Sequence, residues 1–217
     1  MKIIAVSDIH ENLGRLDGLM PVLRTADLLL ILGDLTQFGH AEQARRVLQA
    51  FRAAGRPLLA IPGNLDHPDV LGLLEAEGIS LHATFRVYGD IGIAGMGGSN
   101  PTPFGTPFEL DEEEIYRKLM SGVRSISTAR VRIVASHPPP RGTKTDRVRL
   151  GCHVGSQSVR RVVEETQPDL VLCGHIHEAP GEDHIGRTHI LNPGPFGTGG
   201  IIDIEIGESG VAARIRR

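Results

Sequence analysis

The chain has 217 residues, 40% hydrophobic and 23% charged, which supplies apolar surface for one full core and suits a single domain over residues 1–217. Its net charge of −3 leaves no overall basic field; this argues against a dedicated nucleic-acid binder held by phosphate neutralisation, although a local basic patch stays open. The N-terminal apolar stretch is too short for a signal peptide and no run approaches the roughly 20 residues of a spanning helix, so a cytoplasmic protein without a membrane partner is expected.

In chain order, residues 3–7, 28–32 and 58–61 are short leucine-rich or β-branched runs that read as buried strands. Between them, 13–24 and 41–54 carry apolar residues at helical spacing, as in Ala44, Val47, Leu48 and Phe51. Pro68 suits the first turn of a third helix ending near Glu77, where the missing N–H has no helical partner to lose. This βαβ alternation predicts a mainly parallel sheet. Three closely spaced strands follow at 79–82, 85–88 and 91–94, with a Gly89-Asp90 turn that suggests antiparallel pairing. A helix over 111–122 opens with Asp111 facing Glu114; a strand at 131–136, a helix at 156–166 and a strand at 170–173 come next. The tail, 188–191, 200–206 and 211–215, reads as antiparallel strands. Two loops, 95–108 and 138–155, are rich in Gly and Pro and exceed ordinary connections; they are either functional loops or surface insertions. Cys152 and Cys173 are too few for a disulfide framework, which fits a reducing compartment, and one bridge between them stays open.

The chemistry gathers at strand ends. Asp8 and His10, then Asp34, then Asn64 and Asp66, then His137, then His175 and His177 all lie just beyond apolar strands. Open α/β sheets bind ligands at the carboxyl ends of their strands, so these distant residues can meet at one edge. A mixed oxygen and imidazole donor set suits Mn, Fe, Zn, Co or Ni better than a soft thiolate site does. One carboxylate can bridge two ions, which together clamp a phosphate and lower the pKa of a water. Gly33, Gly63 and Gly174 would let the chain turn sharply and approach the ions closely. Arg141, Lys144, Arg147 and Arg149 follow His137 in the loop, either to attract an anionic substrate, a nucleotide included, or as a solvated loop.

Asp8-Ile9-His10, Gly33-Asp34, Gly63-Asn64, His137 and Gly174-His175-Ile176-His177, in that order, resemble the motif series of the calcineurin-like metallophosphoesterases, in their small prokaryotic phosphodiesterase-like branch. The resemblance runs the length of the chain. It implies an α/β fold, a four-layer αββα sandwich of two mixed β-sheets flanked by helices, with the site at the sheet edges. It implies that Asp8, His10 and His177 hold one divalent ion, that Asn64, His137 and His175 hold a second, and that Asp34 bridges them. Mn2+ is the expected ion, with Fe, Zn, Ni, Co or Mg as alternatives. The activity implied is hydrolysis of a phosphate ester, a diester ahead of a monoester, by attack of a metal-bound hydroxide. Nucleic acid as substrate and a homo-oligomeric state stay open.

The pattern departs at one place. Many relatives carry a His directly after the Asn of the third block; here it is Leu65, which cannot donate a proton. Asp66, which orients that His in relatives, is left with a catalytic role or a structural one in the turn. His67 and His153 are the candidates to supply the proton, against ordinary hydrogen bonding for each. Glu178 could orient His175 or His177, and Asn100 sits in a glycine-rich loop able to approach a substrate. His40, His82, His184 and His189 have no motif context. The competing reading is a catalytically weak or inactive scaffold for protein interactions, and it rests on Leu65 alone.

Overall fold

The computed structural model describes residues 1–217. Along its first third β1 (Lys2–Val6), α1 (Leu16–Leu23), β2 (Leu28–Leu32), α2 (Ala41–Arg52), β3 (Leu58–Ile61) and α3 (Pro68–Ala76) alternate. Then come β4 (Thr84–Tyr88), β5 (Ile91–Met96), α4 (Glu112–Ser125), β6 (Val131–Ser136), α5 (Gln157–Thr166), β7 (Leu170–Leu172), β8 (Gly181–Ile185), β9 (Thr188–Asn192), β10 (Ile201–Gly207) and β11 (Gly210–Arg216). They form a five-stranded sheet, β11-β10-β1-β2-β3, and a six-stranded sheet, β4-β5-β6-β7-β9-β8. Both are mixed: β1, β2 and β3 run parallel, as do β5, β6, β7 and β9, while β10, β11, β4 and β8 pair antiparallel at the flanks.

Alternate side chains of each central strand face opposite ways, and both faces are buried. Ile3, Ala5, Leu28 and Leu30 meet Ile91, Ile93, Ile133 and Leu172 between the sheets. From the other face, Ile4, Val6, Leu29 and Ile31 pack on Leu23, Val47, Leu48, Phe51 and Leu74 of the first helices. In the second sheet Ala94, Val134 and Val171 pack on Ile115, Leu119, Val123, Val159 and Val163. Helix, sheet, sheet, helix is therefore the layer order, and burial on both faces explains why β2 reads as unbroken Leu and Ile. No helix is long and apolar enough to cross a membrane.

Three expectations need correction, and one strand was not foreseen. Residues 79–82 are not a strand: Ser80 bridges to Ala60 and His82 to Gly95, so the segment crosses from the first sheet to the second without lying in either. The tail is not one antiparallel group, because β9 runs parallel to β7 in the second sheet while β10 and β11 pair beside β1 in the first. β8, with the sequence GEDHI, is a strand that intrinsic propensity does not favour; its place beside β9 decides it. The first helix starts at Leu16 rather than residue 13, since the Asn12 side chain accepts from Gly14 N–H and holds a turn there. Cys152 is exposed and Cys173 buried, and both are free thiols.

Candidate metal centre

The strands expected to share one sheet are divided, β1, β2 and β3 in one and β6 and β7 in the other, and the carboxyl ends of both converge on one cleft. Asp8, His10, Asp34 and His175 all have left-handed backbone, with φ of +54°, +48°, +49° and +67°. Such φ values are uncommon outside glycine and cluster where function requires a strained turn. The turns are tied to one another: Asp8 N–H donates to Gly33 O, His10 N–H to Asp34 O and Gly174 N–H to His137 O. At the three glycines the turns pack closely on one another. A methyl group at Gly63 would overlap the Asp34 carboxylate, at Gly174 it would overlap Ser7 and Asp8, and at Gly33, where φ is +100°, the His137 ring.

All seven expected ligands meet here. One group is Asp8, His10 and His177, whose donor atoms lie within 4.8 Å of one another. His10 Nε2 is 3.1 Å from His177 Nε2, and His177 Nε2 is 3.3 Å from Asp8 Oδ1. Asp34 Oδ2 lies 3.8 Å from His10 Nε2 and 3.5 Å from His137 Nε2. Asn64 Oδ1 is 3.0 Å from His137 Nε2, and the His175 and His137 ring centres are 5.1 Å apart. Asp8 also groups with Asp34 and His137 within the same 4.8 Å limit, so its carboxylate adjoins both halves.

Neighbouring groups set the direction of each donor. His10 Nδ1 lies 3.3 Å from Thr36 O and His137 Nδ1 2.8 Å from Leu32 O. A ring that donates to a carbonyl there presents the Nε2 lone pair to the cleft. Asp34 Oδ1 accepts from Leu65 N–H at 2.9 Å, which leaves Oδ2 facing both groups. His175 N–H donates to both Asp8 oxygens. Burial pushes the Asp8 carboxyl up, but the hydrogen bond from His177 and the nearby His137 charge outweigh it and hold the group well below the carboxylate range. Burial pulls His137 down; the Asp34 charge prevails and raises it to about 9. His175 falls to about 4, from burial first and the His137 charge second. The carboxylates and imidazoles gathered here offer the oxygen and nitrogen donors that divalent ions take.

The remaining candidates fall in different places. Asp66 is fully buried and accepts from Leu35 N–H, Thr36 N–H, Thr36 Oγ1 and Gly63 N–H, so it ties the second and third turns together. Burial, with the Asp34 charge, lifts it to about 6. His67 does not line the cleft; it precedes α3 and stacks on His40 with ring centres 4.0 Å apart. His153 does line it, and its Nδ1 is 2.7 Å from the buried Asp146 Oδ1. Glu178 accepts from Arg149 N–H and orients neither histidine. Asn100 lines the cleft, its Nδ2 donating to Val154 O. Of the four cations after His137, Arg141 alone does so. Sequence reasoning missed Thr106 and Glu109. Asn64 Nδ2 donates to Thr106 Oγ1 at 3.1 Å, and Thr106 in turn donates to Glu109 Oε1, which turns Asn64 Oδ1 inward. Only their place in or beside the long Gly- and Pro-rich loop pointed to them.

A family model described as calcineurin-like phosphoesterase matches residues 1–179. An uncharacterized protein of Methanocaldococcus jannaschii is 36% identical over 203 residues, which cover 90% of this chain and 88% of that protein. A solved structure from Thermus thermophilus superposes with TM-score 0.74 at 19% identity, covering 100% of this chain and 99% of that one. A dimetal phosphatase from Danio rerio superposes with TM-score 0.72 at 12% identity, covering 100% and 96%. At these identities the two structures speak for the fold.

Proposed function

This chain belongs to the calcineurin-like phosphoesterase family, and from that premise we propose that it is a dinuclear metal-dependent phosphodiesterase. Asp8, His10 and His177 would hold one divalent ion, Asn64, His137 and His175 a second, and Asp34 would be shared between them. The observation that carries this reading is Asp34 Oδ2, placed 3.8 Å from His10 and 3.5 Å from His137, between the two donor groups. Two divalent ions bound there, Mn2+ being the one expected from the family resemblance and Fe, Zn, Co or Ni being equally suited to the oxygen and imidazole donors, would stabilise charge on the phosphate and lower the pKa of the attacking water. The chain's part is positioning. Thr36 and Leu32 carbonyls aim the His10 and His137 lone pairs, Thr106 aims Asn64, and Leu65 N–H fixes the bridging carboxylate. Arg141 adds positive charge to the cleft that receives the anion.

The proton for the leaving oxygen comes from His153. It is the one histidine of the cleft outside the ligand set, and Asp146 holds its Nδ1 side. An adjacent carboxylate fixes the orientation of the ring, which a positioned general acid requires. Leu65 leaves the usual donor position empty of acid chemistry, and Asp66 acts as a turn anchor. Two free cysteines accord with a reducing, cytoplasmic setting.

The deciding experiment compares bis-p-nitrophenyl phosphate with p-nitrophenyl phosphate, with Mn2+ or with chelator, in wild type and Asp34→Asn. Manganese-dependent turnover that favours the diester and is lost in Asp34→Asn is the expected result. Folded protein that turns over neither ester with any divalent metal would overturn the proposal.

A further inference from the structure

Six large hydrophobic side chains are exposed: Phe38, Phe85, Val87, Tyr88, Phe104 and Leu150. Three lie on the edge strand β4. The other three, Phe38, Phe104 and Leu150, line the cleft of about 760 Å3 that also holds Asp34, Asn64, His175 and His177. They come from three different connections, after β2, after β5 and after β6. Phe104 is 83% and Leu150 91% exposed, and Phe38 sits in left-handed backbone at φ +58°. Large apolar groups left in water on strained or irregular backbone, and gathered at one cleft, mark a binding surface. Leu65 continues this surface inward, because its own N–H touches the bridging Asp34.

We propose that this wall binds an apolar organic arm of the phosphate ester, held between Phe38, Phe104 and Leu150 while its phosphate lies on the metal centre. The inference rests on the phosphoesterase reading only for where the phosphate sits. A cleft of this volume is of the size that takes a drug-sized ligand, far more than a bare phosphate fills. The arm is a flat ring, as in a nucleobase or aryl group, or a hydrocarbon chain. Either is recognised by burial of apolar surface, and Leu65 thereby gains a purpose: the cleft position beside the Asp34 carboxylate is apolar.

The test is calorimetric binding of methyl-, phenyl- and hexylphosphonate to the Mn2+-loaded protein, which does not depend on turnover. The phenyl or the hexyl compound should bind at least about tenfold tighter than methylphosphonate, given the apolar surface each adds. That ratio should collapse to within about threefold in a Phe104→Ser, Leu150→Ser double variant. Both side chains are so exposed that the fold tolerates the change. Phe85→Ser, on β4, should keep the ratio. Phenyl above hexyl identifies a ring, and the reverse a chain. Equal binding of all three phosphonates, or a preference that survives the double variant, overturns the wall while leaving the phosphate site intact. Failure of all three to bind overturns the phosphate site, and the wall with it.

Discussion

His10 Nε2 and His177 Nε2 face one another at 3.1 Å, with Asp8 and Asp34 carboxylate oxygens beside them. Two imidazole nitrogens at that distance need a proton between them or a cation in its place. Divalent metal should therefore stabilise the fold: at a hundredfold excess over Kd one site contributes about 2.7 kcal/mol. Scanning calorimetry of chelator-treated protein should show Tm rising on titration with Mn2+, and His10→Ala should blunt the rise. A Tm that no divalent ion moves would remove the basis for a metal centre.

Asn64 presents its oxygen inward because Thr106 takes its amide hydrogen. Thr106→Val keeps the shape and deletes the acceptor, leaving Asn64 free to flip. Loss of such an orienting partner typically costs about 10- to 100-fold in metal affinity, which a Mn2+ titration would read as one weakened site of two. Unchanged affinity at both sites would mean that the amide is held by its metal alone.

A proton donor matters most when the leaving alcohol is a poor one. His153→Gln should slow hydrolysis of an alkyl leaving group by about 100-fold while affecting p-nitrophenol release far less. Equal slowing of both esters would assign His153 to binding or loop structure.

Asp66 accepts four hydrogen bonds from the turns that carry Asp34 and Asn64. Asp66→Asn sets an amide N–H against a backbone N–H and should cost about 2–3 kcal/mol in urea unfolding. A variant of full stability with kcat reduced a hundredfold would restore Asp66 as a catalytic group.

His82 is buried and accepts from Gly97 N–H through Nδ1. Burial, helped by Lys118 and opposed by Glu114, brings it from 6.5 down to about 4. As pH falls from 6.5 towards 4 the unfolded chain takes up a proton that the folded protein refuses, so stability is lost over that window. The loss amounts to about 3 kcal/mol at most. His82→Asn preserves an acceptor for Gly97 and should flatten the urea midpoint between pH 7 and 4.5 in metal-free protein; an equally steep profile would assign the pH dependence to other groups.

Much of the site was legible before the fold was known. The residue types after each apolar run, and the glycines beside them, reflect requirements local to one strand end, so Asp8, His10, Asp34, Asn64, Asp66, His137, His175 and His177 could be named from the chain as candidates, and the resemblance to a family is what separated seven candidate ligands from Asp66. The continuous apolar runs of β2 and β3 likewise report burial on both faces. What local pattern does not carry is partnership. The division of the strands between two sheets, the crossing of residues 79–82 between them and the inclusion of β8 depend on pairing between segments that only the folded chain brings together. The same holds for side chains. His67 and His153 look alike in sequence, but one stacks on His40 outside the cleft and the other reaches it. The helper of Asn64 proved to be Thr106, 42 residues away, and the partner of Glu178 a backbone N–H 29 residues upstream. Sequence by itself determined which chemistry the strand ends carry, because each candidate ligand must follow its own strand. Tertiary structure alone decided which groups aim those candidates and which apolar side chains wall the cleft, because direction and enclosure arise from contacts between loops that share no local pattern.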